Sequence, residues 1–494
     1  MFSSQRIACW FSLFAVLGFG LQGIVSSMGA LEIVFPDLPA LIPHTAGRSF
    51  HVNVSVFWPL MGLIGGIYYF FTLEAGRELY RLDLAKANFY FLAASIFVLL
   101  GSLVVGYNEG REYLEGIWPL RAGVLFSLAL FIYNLARTYG AAGEFKSRAT
   151  LISMLAGMWM LVIFYIPTLK TYAHPSLDEL AKFLVVHLWE EMCLELVAVG
   201  IIGAMLVNMT GVERRKIETI LYLDIAIMTA GGVMGTAHHY YWIGTPVSWL
   251  WIGLIFSFMQ IIPAVLLAYT GATSLSRKIW EGFGHREWLT ITLLACSTVY
   301  HIFGAGLMGF LMSYPPINKY VHGTYITSAH SHLAVFGVFG FLVLAVSVYI
   351  LFAEVPLPKV AFRQGMLAVG ALNAGLLIMS LGLMVAGGLQ TYFWRVLDIG
   401  ITTTNEMIRP YLIFRVLGGA AYLSGSTLFT YMVLRQLWPY RSSIIAAEAQ
   451  PVHARELNRH LRDLIAKERQ LASIAQRVRV IYKLLTELLK IRNK

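Results

Sequence analysis

Charge is scarce in this chain. Of its 494 residues only 13% are Asp, Glu, Lys or Arg, while 58% are hydrophobic. Soluble globular proteins carry about 25% charged residues, so a soluble domain is excluded as the bulk of the molecule. Cysteine is scarcer still, with three residues, Cys9, Cys193 and Cys296, and no CxxC or CxxCH. A disulfide framework and covalent c-type haem attachment are thereby excluded. All three cysteines fall in apolar runs and read as small buried apolar groups. Long polar stretches are missing too, and the loops between the apolar runs leave no room for a soluble domain.

What is there is hydrophobic length. A membrane-spanning helix needs roughly 20 apolar residues. Twelve such stretches occur, centred near residues 18, 62, 97, 129, 159, 197, 228, 259, 300, 340, 377 and 425. The predicted fold class is all-α: a polytopic membrane protein with a twelve-helix transmembrane catalytic domain over 1–440 and a basic tail over 441–494. The first run, "ACWFSLFAVLGFGLQGIVSSMGA", is longer than a signal-peptide core and reads as a retained helix.

The formal net charge of +10 is placed as a topology signal, not as a nucleic-acid footprint. One set of loops holds Arg77, Arg81, Lys86, Arg137, Lys146, Arg148, Arg214, Arg215, Lys216, Arg277, Lys278, Arg286, Lys359 and Arg363. The alternate loops hold fewer cations, so the positive-inside rule puts both termini in the cytoplasm. In the tail, Leu457, Leu461, Leu464, Leu471, Ile474, Val478, Ile481, Leu485 and Leu488 recur mostly at helical spacing, with Arg and Lys on the other face. This predicts a basic amphipathic helix on anionic lipid, with a coiled-coil contact as the alternative.

Ionisable residues inside apolar runs mark function. "VVHLWEEMCLELVAV" sets His187, Glu191 and Glu195 on one stripe of a regular helix, which turns about 100° per residue. A polar helix–helix contact would explain Glu195 alone, but not the whole stripe. "GTAHHYYWIGTP" ends the next run with His238 and His239, which can lean on one ion only if it sits between them. Beside the preceding stripe, they point to metal ligation. "HGTYITSAHSHLAVFG" carries His330 and His332, whose side chains diverge by about 200°. They cannot share an ion but can serve two planar cofactors on opposite sides of the helix, and haem suits that geometry. His51 in "HVNVSVFW" could supply an opposite axial ligand. His322 reads as a surface histidine. The inventory is three histidines and a carboxylate for one non-haem metal, and three histidines for two haems.

With "GREYLE", "HLWEEMCLEL" and "HIFGAGLMGF" added, these motifs resemble the catalytic subunit of bacterial nitric oxide reductase, in the haem–copper oxidase superfamily. The resemblance runs from about residue 45 to 345 and leaves out the basic tail. It implies that His51 and His332 hold low-spin haem b, and that His330 is the proximal ligand of high-spin haem b3. His187, His238, His239 and Glu191 would ligate a non-haem iron. Glu112 would help bind a structural calcium near the haem propionates, with Arg48 and Arg111 beside it. Glu195 would orient Glu191 and pass protons. A carboxylate added to three imidazoles suits iron better than copper.

One position departs from the family pattern: Gln260 stands where a second site glutamate is expected, and a glutamine cannot shuttle a proton. Either Glu195 carries more of that work, or protons are rerouted, or the reaction differs. The reaction implied is reduction of NO to N2O in a bacterial inner membrane, with electrons from a membrane-anchored cytochrome c subunit. Quinol-fed relatives carry an N-terminal extension not seen in these residues, and direct quinol oxidation stays open. The alternatives are oxygen reduction or another NO chemistry at the same centre. A remote one is a secondary transporter, which predicts no haem and an internal repeat that the sequence does not show.

Overall fold

The computed structural model describes residues 2–38, 42–278 and 282–445. The tail helix expected beyond residue 445 lies outside the described residues, and with it the choice between lipid and coiled coil. Among the described residues there are helices and connecting loops but no strands.

Backbone amides in hydrocarbon must be satisfied within the segment, which is why apolar runs of this length become helices. Among the described residues twelve helices are long and apolar enough to cross a membrane: Ser3–Val34, His44–Ala75, Leu82–Val104, Trp118–Gly140, Ala149–Leu169, Pro175–Thr210, Arg214–Tyr240, Val247–Ser276, His285–Ser313, Tyr325–Leu351, Lys359–Val396 and Ile401–Tyr440. A short helix, Pro315–Val321, links the ninth and tenth. Gly76 and Gly211 end the second and sixth spans at φ +63° and +66°, a left-handed cap that glycine adopts without strain.

The first span packs on the second and the twelfth, the eleventh on the twelfth, and the seventh on the eighth. Small residues allow close approach. A Cβ added at Gly375 would lie 2.6 Å from the Gly418 carbonyl oxygen, and one at Gly418 would lie 2.6 Å from that of Gly375. Enclosure differs sharply between spans. The most apolar windows of the second and tenth spans are 83% buried and that of the sixth 78%, against 22% for the ninth. The three most enclosed spans carry His51, the 187–195 stripe, and His330 with His332.

Those helices are not uniform. Wide π turns occupy Trp189–Cys193, His301–Leu307, His332–Gly340 and Thr391–Val396, and the seventh span tightens to a 3₁₀ turn over Thr236–Tyr240. Such irregular turns cluster at functional sites because they re-aim side chains.

A candidate metal and haem centre

Four ligand-bearing residues converge where the sixth and seventh spans meet. One ligand atom from each of His187, Glu191, His238 and His239 can be chosen so that all four lie within 4.8 Å of one another. Glu191 Oε1 lies 3.2 Å from His187 Nδ1, 3.5 Å from His238 Nε2 and 3.8 Å from His239 Nε2. The 3₁₀ turn brings both histidine rings toward the carboxylate, with centroids 4.3 Å apart. Behind them, His238 Nδ1 is 2.9 Å from Ser257 Oγ, and that hydroxyl donates to the Gly253 carbonyl. Glycine is required there: a Cβ at Gly253 would lie 2.8 Å from the His238 backbone nitrogen. Nε2 of His187 and Nε2 of His239 are buried without a hydrogen-bond partner among the described residues. Buried polar nitrogens left open around an anionic oxygen are a donor set for a cation.

The haem-type histidines also take defined positions. The His51 and His332 rings are nearly parallel, 24° apart, with centroids separated by 6.3 Å. Two metal–imidazole bonds of about 2 Å each, with the nitrogen-to-centre distance of either ring, fill such a gap. His332 Nδ1 is 2.7 Å from the Ser328 carbonyl and His330 Nδ1 is 3.0 Å from that of Gly304. Each bond fixes its ring's tautomer and leaves Nε2 free to ligate. His51, His330 and His332 thus offer imidazole nitrogens that would fit haem-type cofactors.

Several expectations need correction. A π turn at Trp189–Cys193 lies between His187 and Glu195, and Glu195 does not take up the expected contact with Glu191. Glu195 Oε1 instead lies 3.3 Å from His301 Nε2, and no hydrogen bond or ion pair among the described residues joins it to Glu191. Gln260 sits against Gly231 and donates from Nε2 to the Glu191 backbone carbonyl at 3.3 Å. It therefore pins the backbone of a site residue. Glu112 is ion-paired with Arg48, but Arg111 turns away, gripping Asp178 at 3.0 and 3.1 Å and the Thr168 carbonyl at 2.9 Å. Among the described residues the group of acidic, His and Cys ligands that could hold an ion is that of His187, Glu191, His238 and His239. His322 is half-buried, and burial lowers its pKa to about 4, with the His239 and Arg395 charges adding to the effect.

The sequence alone leaves some site residues without a role. His301 opens "HIFGAGLMGF", and an ionisable side chain inside an apolar run is the signal that could have singled it out. Asp224 is the one charge in the run that leads to His238. Its burial at 1% exposure with neither carboxylate oxygen hydrogen-bonded cannot be read from spacing. Ser257 carries no signal, since a serine in a membrane helix is ordinary.

Known proteins share this arrangement of chain. The family model "Cytochrome C and Quinol oxidase polypeptide I" matches residues 6–421. A nitric oxide reductase subunit of Stutzerimonas stutzeri is 29% identical over 456 residues, covering 87% of this chain and 94% of the relative. The Cbb3-type cytochrome c oxidase subunit CcoN1 of the same organism is 21% identical over 476 residues, covering 90% and 97%. A cytochrome c oxidase subunit 1 homolog of Agrobacterium tumefaciens (strain T37) is 21% identical, covering 86% and 82%. A match of that extent, over a bundle of twelve membrane-length helices with histidines at its centre, means that the chain belongs to the cytochrome c and quinol oxidase polypeptide I family of the haem–copper oxidase superfamily, as a multi-pass membrane oxidoreductase whose family implies haem and metal cofactors.

Proposed function

We propose that the chain is the catalytic subunit of a nitric oxide reductase, converting two NO, two electrons and two protons to N2O and water. The observation that carries this reading is the Glu191 carboxylate among the three imidazoles of His187, His238 and His239. An oxygen donor with three nitrogens favours iron over copper at the non-haem position. In this reading His330 holds high-spin haem b3, and His51 with His332 holds low-spin haem b. When bound, these groups would supply the electrons and the metal sites for NO reduction.

The chain's own residues do the rest. Ser257 holds the His238 ring, and the Gly304 carbonyl holds that of His330. Gln260 restrains the Glu191 backbone. Glu195 and His301, paired at 3.3 Å, can hold and move a proton beside the pocket. Apolar walls admit NO from lipid and exclude bulk water. The likeness to cytochrome c oxidase subunits supports a separate cytochrome c subunit as donor; the chain would sit in a bacterial inner membrane, with the basic loops and both termini in the cytoplasm. Glu112, paired with Arg48, would help hold a structural calcium.

Oxygen reduction at the same centre is the second reading, favoured by Gln260 and by the likeness to two oxidase subunits. Metal and haem analysis of the purified protein, followed by anaerobic NO consumption with N2O detection, separates them. Two b haems, one non-haem iron, no copper and N2O formation are expected. Copper, or oxygen consumption without N2O, overturns the proposal.

A further inference from the structure

One cation inside the bundle is used by nothing described so far. Arg415 is partly buried on the twelfth span. Among the described residues it makes neither a hydrogen bond nor an ion pair. Other arginines near the spans' ends are closed by acids: Arg48 by Glu112, Arg111 by Asp178, Arg121 by Glu109 and Arg214 by Glu74. A guanidinium left open in an apolar medium is costly unless it acts on something there.

A layer of aromatic rings fixes what Arg415 faces. Trp58, Phe19, Phe336 and Tyr422 come from the second, first, tenth and twelfth spans. Ring centroids are 5.2 Å apart for Trp58 and Phe19, 5.9 Å for Phe19 and Phe336, and 4.8 Å for Phe336 and Tyr422. As even-numbered spans of one membrane bundle, the second, tenth and twelfth run in the same direction. Seven residues are two helical turns, about 10 Å, and return to nearly the same face. His51 precedes Trp58 by that step, and Arg415 precedes Tyr422 by the same step. His332 stands one turn before Phe336. Arg415 is therefore on the same side of the ring layer as both imidazoles, at the depth of His51. It lies on the face of its helix that Tyr422 turns toward Phe336. Its charge acts on both imidazoles.

Reduction of a haem adds one electron and removes one unit of positive charge. A fixed cation beside it, in a medium of low dielectric, favours the reduced form. We propose that Arg415 sets the reduction potential of the low-spin haem held by His51 and His332, raising it so that this haem draws electrons from the donor. The sign is the same whether the guanidinium ends at the edge of the macrocycle or at one of its carboxylates, because removing a cation favours the oxidised form in either case. Arg48, three residues before His51, does not substitute for it, since Glu112 balances its charge. The proposal rests on the reading that His51 and His332 hold a haem, and it stands whether the substrate is NO or oxygen.

The test is an equilibrium redox titration of the complete purified enzyme, followed by low-spin haem absorbance without turnover. In Arg415→Gln the ratio of reduced to oxidised low-spin haem should fall by about tenfold or more at a fixed poise, with the haem spectrum unchanged. Arg415→Lys should keep most of the original potential, and Arg415→Met should repeat the fall. The haem on His330 should shift less than the low-spin haem. An unchanged low-spin potential in a haem-loaded neutral variant overturns the proposal alone, as does an equal fall in Arg415→Lys. Loss of the haem from both neutral variants would make Arg415 an anchor of the cofactor and also overturn it. Absence of a bis-imidazole haem spectrum from the unmodified protein would break the reading of His51 and His332, and the proposal with it.

Discussion

Glu74 and Asp224 are two carboxylates with the same burial, each 1% exposed, and opposite surroundings. Glu74 is closed. Its Oε2 accepts from Thr150 Oγ1 at 2.8 Å and from Arg214, its Oε1 accepts from Arg214 Nη2 at 3.1 Å, and its backbone carbonyl accepts from Arg148 at 2.6 Å. Asp224, on the same span as Arg214, has no such partner. The closed cluster ties the second, fifth and seventh spans at the basic face. It is architecture, because both carboxylate oxygens have partners within the protein. The open groups, Asp224 and Glu195 with His187 and His239, can persist only where a metal, a proton or water completes them.

That contrast breaks if open and closed groups respond alike. The largest effect should come from the open metal set. His238→Ala is expected to abolish N2O formation and remove the non-haem metal while the low-spin haem spectrum stays, as read by metal analysis and absorbance. Glu74→Ala should act on stability instead. Leaving Arg214 and Arg148 facing an emptied site should cost about 3–5 kcal/mol, seen as faster thermal inactivation, with the turnover of surviving enzyme unchanged. A smaller change is expected from Ser257→Ala, which frees the His238 ring and should weaken metal affinity by about 10–100-fold, measured by chelator competition.

The smallest effect sharpens the comparison outside the spans. Glu115 is buried, accepts from Asn53 Nδ2 at 2.9 Å, and has its other oxygen open. Burial raises its pKa above the usual 4.5. Between 4.5 and that raised value the folded state binds more protons than the unfolded one, so this group's contribution falls as pH rises through the window. Glu115→Gln keeps an acceptor for Asn53 and should stabilise slightly at neutral pH but not at pH values below the window. Thermal inactivation measured at both should show the difference shrinking in acid.

Much of the fold was legible in local chemistry. Twelve runs centred close to the observed spans follow from hydropathy, which each segment carries on its own. The grouping of His187, Glu191, His238 and His239 followed from ionisable residues at the facing ends of consecutive runs, and the fold brings their ligand atoms within 4.8 Å. His330 and His332, two residues apart, differ as expected in what their rings meet. Other contacts were not legible. Glu195 was expected to orient Glu191, yet its carboxylate faces His301. Arg111 was set beside Glu112 on sequence adjacency, yet its guanidinium reaches Asp178, 67 residues away. His301 meets Glu195 from a span three helices later.

The chain's own residues dictated length, span number and the identity of every buried ionisable group, because hydrocarbon imposes those terms segment by segment. Which of those groups are closed and which stay open was settled by packing. Arg214 reaches Glu74 while no hydrogen bond from a described residue reaches Asp224, since partnership between helices depends on register and on glycines that let backbones touch. Those quantities belong to the assembled bundle.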